Sequence, residues 1–443
     1  MGSKSVIIPP LQLHKILNKP EDEIEAMDSQ NETLQASYTI QDKEIYVNSI
    51  HFNVVNKQLT RDIPSFIESI AEELALGFER YWGTSTEWKT VGAWDTCQKI
   101  VARTANRVFL GTALCRNDVF LDHSRKYALS VFGGGIVINT TPSILKPILG
   151  YLIGLEANRH LAVCKKILIP VVEERLKNTI QLSNDPDFKW TPPYDALQWI
   201  IEECEKTTDP KQFNPALIAH RLMMLNLVSV HTTSNTLINV ILDLYSSPPS
   251  SGFLDGLYEE CTRVLADSDG VWTKHAVSQL YRVDSTIRES MRFSAFGIVA
   301  LPRRVNSPEG LELDDKSILP KGVRLTFPMQ AIHQDEAFYP NAQKFDAFRF
   351  SRPYETKRAD INRKFESGDT ITDTFLAFGN GRHACPGRFF AMHEMKLMVA
   401  HVVQNYEVEY MPTRPPMEHL MELKYPAIAT QIRVRRKKSV GLK

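Results

Sequence analysis

The chain has 443 residues, enough for one large core or for two to three ordinary domains. Its 52 basic residues (Lys plus Arg) equal its 52 acidic ones, so no global charge draws it to nucleic acid. The six cysteines, Cys97, Cys115, Cys164, Cys204, Cys261 and Cys385, are widely spread and form no CxxC pair. That suits reduced thiols in a cytosol-facing protein, not a secreted disulfide framework.

In chain order, apolar residues at spacings of three and four predict helices over 63–81, 91–110, 161–177 and 196–206. Between the second and third lies the apolar stretch 131–155. Pro142, Lys146, Pro147 and several glycines interrupt it, so it does not read as a membrane span. Its tail, 144–155, is apolar enough either to touch a bilayer surface or to form a buried helix with a loop. Gly133-Gly134-Gly135 lacks the Lys-Ser/Thr of a phosphate loop and reads as a flexible turn.

The strongest helix is predicted over 214–245, after Asp209-Pro210 and before Pro248-Pro249, with a length of about 48 Å. Its middle carries five consecutive polar residues, His231-Thr232-Thr233-Ser234-Asn235. Such a run inside a buried helix is costly unless the side chains bond back to the helix or serve a purpose. A further helix over 273–293 places Glu289 and Arg292 on one face, three residues apart. Strand signals are few and short, for example 323–325 after Leu319-Pro320-Lys321-Gly322. A mainly helical protein with a small β-sheet follows, and no break in composition divides residues 1–443 into separate domains.

The run from Phe378 to Ala391 packs Gly379, Gly381, Gly387 and Pro386 around Cys385, just ahead of an amphipathic helical pattern. A cysteine near a helix start is favoured as thiolate by the backbone N–H groups and the helix dipole. A lone cysteine is often only a small buried hydrophobe. A zinc site from His383, Cys385 and His393 fits no common finger or ribbon spacing.

The whole run Phe378-Gly379-Asn380-Gly381-Arg382-His383-Ala384-Cys385-Pro386-Gly387 resembles the haem-binding loop of cytochromes P450, written F-x-x-G-x-R-x-C-x-G, and is most similar to fungal members. The resemblance implies the P450 fold, mainly α with a small sheet, with haem b (iron-protoporphyrin IX) between the long central helix and the cysteine loop. Cys385 would be the axial iron ligand, with Phe378, Arg382, His383, Gly387 and Arg304 as further cofactor-binding candidates. Arg303, beside Arg304, is another cation for the haem propionates. The family's W-x-x-x-R does not appear cleanly; Lys57 and Arg61 are the nearest cations.

In the family the long helix crosses the distal haem face with an A/G-G-x-x-T motif. Thr232 matches its threonine, Val228 and Ser229 replace the small pair, and His231 stands where an acidic residue is usual. Thr232 and His231 are therefore the expected proton-delivery residues. Glu289-Ser290-Met291-Arg292 matches E-x-x-R, and Phe345 to Phe350 resembles the family's later Arg-Phe segment, so Glu289, Arg292 and Arg349 form an expected structural triad. The apolar segment 296–302 is expected to line the substrate pocket. The cations Arg352, Lys357, Arg358, Arg363 and Lys364 would lie near a reductase docking face, or simply form a solvated loop.

These features imply a monooxygenase that inserts oxygen from O2 into an apolar, terpenoid-like secondary metabolite. Electrons would come from NADPH-cytochrome P450 reductase, with cytochrome b5 as a second donor, on the cytosolic face of the endoplasmic reticulum membrane. Set against microsomal members, the resemblance implies that an N-terminal anchor, a first helix and first strands would be absent from this chain. Two other readings keep the haem: an isomerase or dehydratase needing no external electrons, and a truncated non-catalytic haem protein.

Overall fold

The computed structural model describes residues 5–185, 187–207, 209–356 and 365–438. Their contacts cluster into two compact units, one of residues 30–66 and 101–231, the other of residues 5–29, 67–100 and 232 onward.

Every element longer than a few residues in the first unit is a helix. Asp118–Thr140 and Lys146–Asn184 pack along each other, joined by a short link containing Pro142. Asn117 starts the former by accepting the Phe120 N–H at 3.0 Å. Gly133-Gly134-Gly135, expected as a flexible turn, lies inside this helix. The reason is packing: a Cβ on Gly134 would stand 2.4 Å from Ile153 Cγ2, and one on Gly135 would stand 2.8 Å from the Leu34 carbonyl oxygen. The helix pair also lies tight on 36–39, where Gly150 and Gly154 face Tyr38. Asp195 caps Ala196–Glu205 through the Gln198 N–H and is held by both arms of Arg175 at 2.6 and 2.8 Å.

The second unit contains all the strands described. In chain order these are β1 Ser5–Ile7, β2 Ile24–Glu25, β3 Lys89–Gly92, β4 Ala300–Val305, β5 Leu311–Glu312 and β6 Ile318–Leu319. They continue with β7 Arg324–Phe327, β8 Tyr406–Val408, β9 Met417–Leu420, β10 Leu423–Pro426 and β11 Gln431–Arg436. The largest sheet has the order β1-β7-β4-β2; β1 runs parallel to β7, and β4 runs antiparallel to both neighbours. Ile8, Leu13, Ile16, Leu17, Leu301, Leu325 and Phe327 close a core over this sheet.

The helix expected over 273–293 is two pieces, Lys274–Ser278 and Tyr281–Phe293. The break is stabilised from outside. Glu260, on Phe253–Ala266, accepts the Arg282 and Val283 N–H groups at 2.8 and 3.0 Å and so caps the second piece. The long helix is Pro215–Tyr245, close to its expected bounds. Among the described residues no helix is long and apolar enough to cross a membrane.

Candidate functional site

The cysteine loop gets its shape from two glycines in the left-handed region, Gly379 (φ 77°) and Gly381 (φ 69°). They flank a 3-10 turn, Gly381–His383, and lead to the helix Arg388–Asn405 with Gly387 at its cap. The Cys385 N–H closes the loop on the Phe378 carbonyl at 2.8 Å, and Arg388 Nη1 donates to the Cys385 carbonyl at 2.8 Å. On balance burial pushes the Cys385 thiol up, and the N–H groups of Gly387 and Arg388 and the Arg388 guanidinium offset only part of that. The remaining five cysteines are fully buried; burial alone pushes Cys97 and Cys164 up to about 12. Cys385 is thus the one partly exposed cysteine, with N–H donors trained on its sulfur. Phe378, Ala384 and Phe389 around it are only half-buried, although the loop is flanked by buried Leu376 and Phe390. A soft anionic ligand on an apolar, glycine-flattened surface fits a haem iron.

Arg382 and His383 are already engaged with the N-terminal segment. Arg382 Nη2 donates to the Lys19 carbonyl, and His383 Nε2 meets the Glu21 carboxylate. On β4 the alternation buries Arg303, facing Glu21 and Glu25, whereas Arg304 reaches the Gly322 carbonyl at 3.4 Å. Burial pushes the Arg303 guanidinium down, and the two carboxylates offset that.

On the long helix, Val228 and Thr232 are exposed and Ser229 and Thr236 half-exposed, while most of their neighbours are buried. These spacings form one open stripe on the helix. His231 sits about a third of a turn off it. Its Nε2 donates to the Arg125 carbonyl at 3.0 Å, and its ring meets Phe132 edge-on. Burial lowers its basicity, partly countered by that carbonyl.

Glu289, Arg292 and Arg349 are brought together. Arg292 places Nε and Nη2 on the two Glu289 oxygens, both at 2.8 Å, and Arg349 Nε adds a bond of 2.9 Å. Arg292 Nη1 also donates to the carbonyls of His333 and Ala342 at 2.6 and 2.9 Å. His333, which sequence reasoning missed, then accepts the Leu376 N–H on Nε2 at 2.9 Å, two residues before Phe378. Burial pushes this imidazole down to about 3, so it stays a neutral acceptor. A second missed cluster centres on Asp243, which accepts from Ser290 at 2.7 Å, Ser294 at 3.0 Å and Arg414 at 2.5 Å.

Of the expected cationic cluster, Lys357, Arg358, Arg363 and Lys364 lie outside the described residues. Arg352 forks onto Asp346 at 2.7 and 3.0 Å. Lys57 and Arg61 line a cleft of about 390 Å³ in the first unit, with Tyr194, Trp199 and Glu203. There Lys57 pairs with Glu203 and Arg61 with Asp62.

The chain matches the family Cytochrome P450 over residues 5–432. It is 39% identical to cytochrome P450 monooxygenase gloP of Glarea lozoyensis, over 98% of this chain and 82% of that protein. It is 41% identical to cytochrome P450 monooxygenase htyF of Aspergillus rugulosus, over 91% of this chain and 60% of that protein. Cytochrome P450 monooxygenase okaG of Penicillium ochrochloron is 35% identical over 97% of this chain and 84% of its own length. The chain belongs to the cytochrome P450 family, whose members carry a haem-thiolate cofactor. It is a cytochrome P450 monooxygenase.

Proposed function

We infer that Cys385 is the axial thiolate ligand of haem b and that the enzyme oxidises an apolar small molecule, of terpenoid-like secondary-metabolite class. The observation that carries the ligand reading is Cys385 itself, the one cysteine not fully buried, faced by the Gly387 and Arg388 N–H groups at the start of a helix. Bound haem would supply the oxidising chemistry with O2, and the thiolate's electron donation favours O–O cleavage. Phe378 and Gly387 shape the cysteine loop, and Arg303 and Arg304 would offer positive charge for the carboxylates of a bound haem, Arg382 and His383 being tied to the Lys19 carbonyl and to Glu21. Thr232, on the open stripe, places a hydroxyl for proton delivery. His231 orients the same helix through the Arg125 carbonyl.

An apolar substrate is supported by a surface in the second unit. Phe296 and Ile298 are exposed and tied to the β9–β10 hairpin through Ile298 N–H to Glu422 O (2.8 Å) and Lys424 N–H to Phe296 O (2.7 Å). The hairpin adds exposed Leu420 and Met421. Exposed apolar side chains of this kind offer a contact surface for an apolar substrate. P450 monooxygenases generally need a reductase; here NADPH-cytochrome P450 reductase would deliver the electrons, with cytochrome b5 as an auxiliary donor. Exposed Ile144, Leu145, Ile148, Tyr151, Leu152 and Leu155 form an apolar surface for the cytosolic face of the endoplasmic reticulum membrane.

The test is the carbon monoxide spectrum of the reduced, haem-loaded protein. A strongly red-shifted Soret band, abolished in Cys385→Ala, is expected. An unshifted band in well-folded, haem-loaded wild type overturns the assignment.

A further inference from the structure

The three residues of the 3-10 turn before Cys385 each meet the segment 17–21. Gly381 lies beside Leu17, Arg382 donates to the Lys19 carbonyl, and His383 meets Glu21. The segment is itself anchored. Two residues beyond it the Glu23 carbonyl accepts the Asn306 and Ser307 N–H groups at 2.7 and 3.2 Å, and β2 then pairs with β4. Glu21 divides its carboxylate between two tasks. Oε2 takes the Ala26 N–H at 3.4 Å and closes its own turn, and Oε1 faces His383. Lys19 is spent on Glu23, so it does not compete for Glu21. The other charges near this carboxylate are Arg303, Glu25 and Arg382.

We propose that Glu21 is a positioning residue for the haem loop: acting through His383, it fixes the 3-10 turn and so the place of the Cys385 sulfur. The proposal rests on the reading of Cys385 as the iron ligand. Magnitude separates positioning from stability. The Glu21 and His383 side chains are 44% and 26% exposed, and pairs so open to water add little to folding stability. Only Ala384 separates His383 from Cys385, and an iron ligand must be held to within about 0.5 Å. A slack turn therefore shows at the metal before it shows in the fold.

The experiment loads the full chain with haem, reduces it and adds carbon monoxide. It compares wild type, Glu21→Gln, Glu21→Asp, His383→Gln and the Glu21→Gln/His383→Gln pair. Haem content and thermal midpoint are recorded beside the Soret band. Glu21→Gln should raise the ratio of unshifted to red-shifted band about fivefold, within the range for contacting pairs, at unchanged haem content and nearly unchanged midpoint. Glu21→Asp should recover part of the loss, and Glu21→Gln should add nothing once His383 is replaced. A wild-type spectrum in Glu21→Gln, an undiminished effect in the His383→Gln background, or a shift that only follows a falling midpoint overturns the proposal. Failure of wild type itself to give the red-shifted band overturns the ligand assignment instead, so the two failures are distinct.

Discussion

Arg292 lays its guanidinium on Glu289 through two parallel 2.8 Å bonds, and neither side chain keeps any exposed surface. Removing one partner of so buried a pair strands the other charge. Arg292→Lys should cost about 3–5 kcal/mol, because an ammonium cannot serve both oxygens and the His333 and Ala342 carbonyls together. Arg349 is 13% exposed and leans mainly on carbonyls, so Arg349→Lys should cost less. Denaturant unfolding of both variants measures the order; equal losses would refute it.

The glycines of Asp118–Thr140 give an internally controlled pair. Gly133 has open space where a Cβ would go, so Gly133→Ala should stabilise by about 0.5–1 kcal/mol through the backbone alone. Gly135 faces the Leu34 and Thr33 carbonyl oxygens at 2.8 and 2.9 Å from a built Cβ. Gly135→Ala should therefore destabilise by about 1–3 kcal/mol. Thermal midpoints moving in the same direction would contradict this packing.

Glu394 is wholly buried, and among the described residues neither of its oxygens has a hydrogen-bond partner. Burial pushes its carboxyl up to about 8. A raised carboxyl stabilises the fold while protonated, so stability falls as pH rises from the ordinary carboxylate range through about 8. Glu260, raised to about 7 by burial, adds to the same slope. Glu394→Gln should flatten the decline, with a gain on the order of 2–4 kcal/mol near pH 9 that shrinks near pH 5. Urea midpoints across that range read it directly; an equal offset at every pH would sink the account.

Thr232 and His231 are neighbours with separable expected effects. Thr232→Ala should keep haem and the red-shifted band while lowering product formed per NADPH on the order of tenfold or more. His231→Ala leaves the Arg125 carbonyl without its 3.0 Å donor and should cost about 1 kcal/mol of stability with coupling intact. The reverse pattern would move proton delivery to His231.

What the sequence made legible was local. The bounds of Pro215–Tyr245 follow from Asp209-Pro210 and Pro248-Pro249, and the cysteine loop from its glycines. The pairing of Glu289 with Arg292 follows from their spacing. The glycine triplet misled because a helix interior tolerates glycine when a neighbour presses close, and only the neighbour reveals that. The break at Gln279–Leu280 was hidden because its cap, Glu260, lies on another helix. His333 gave no signal, since its role is to join one carbonyl contact to one amide contact from distant segments.

The meeting of His383 with Glu21 joins positions 362 residues apart. At roughly 5–20 residues per second, a ribosome needs roughly 20–70 s to make the span between them. Until then the segment 17–21 waits without the turn it will hold, and its apolar neighbours Leu13, Ile16 and Leu17 wait without most of their core. Closure of the cysteine loop on this segment is therefore a late event in the making of each new chain.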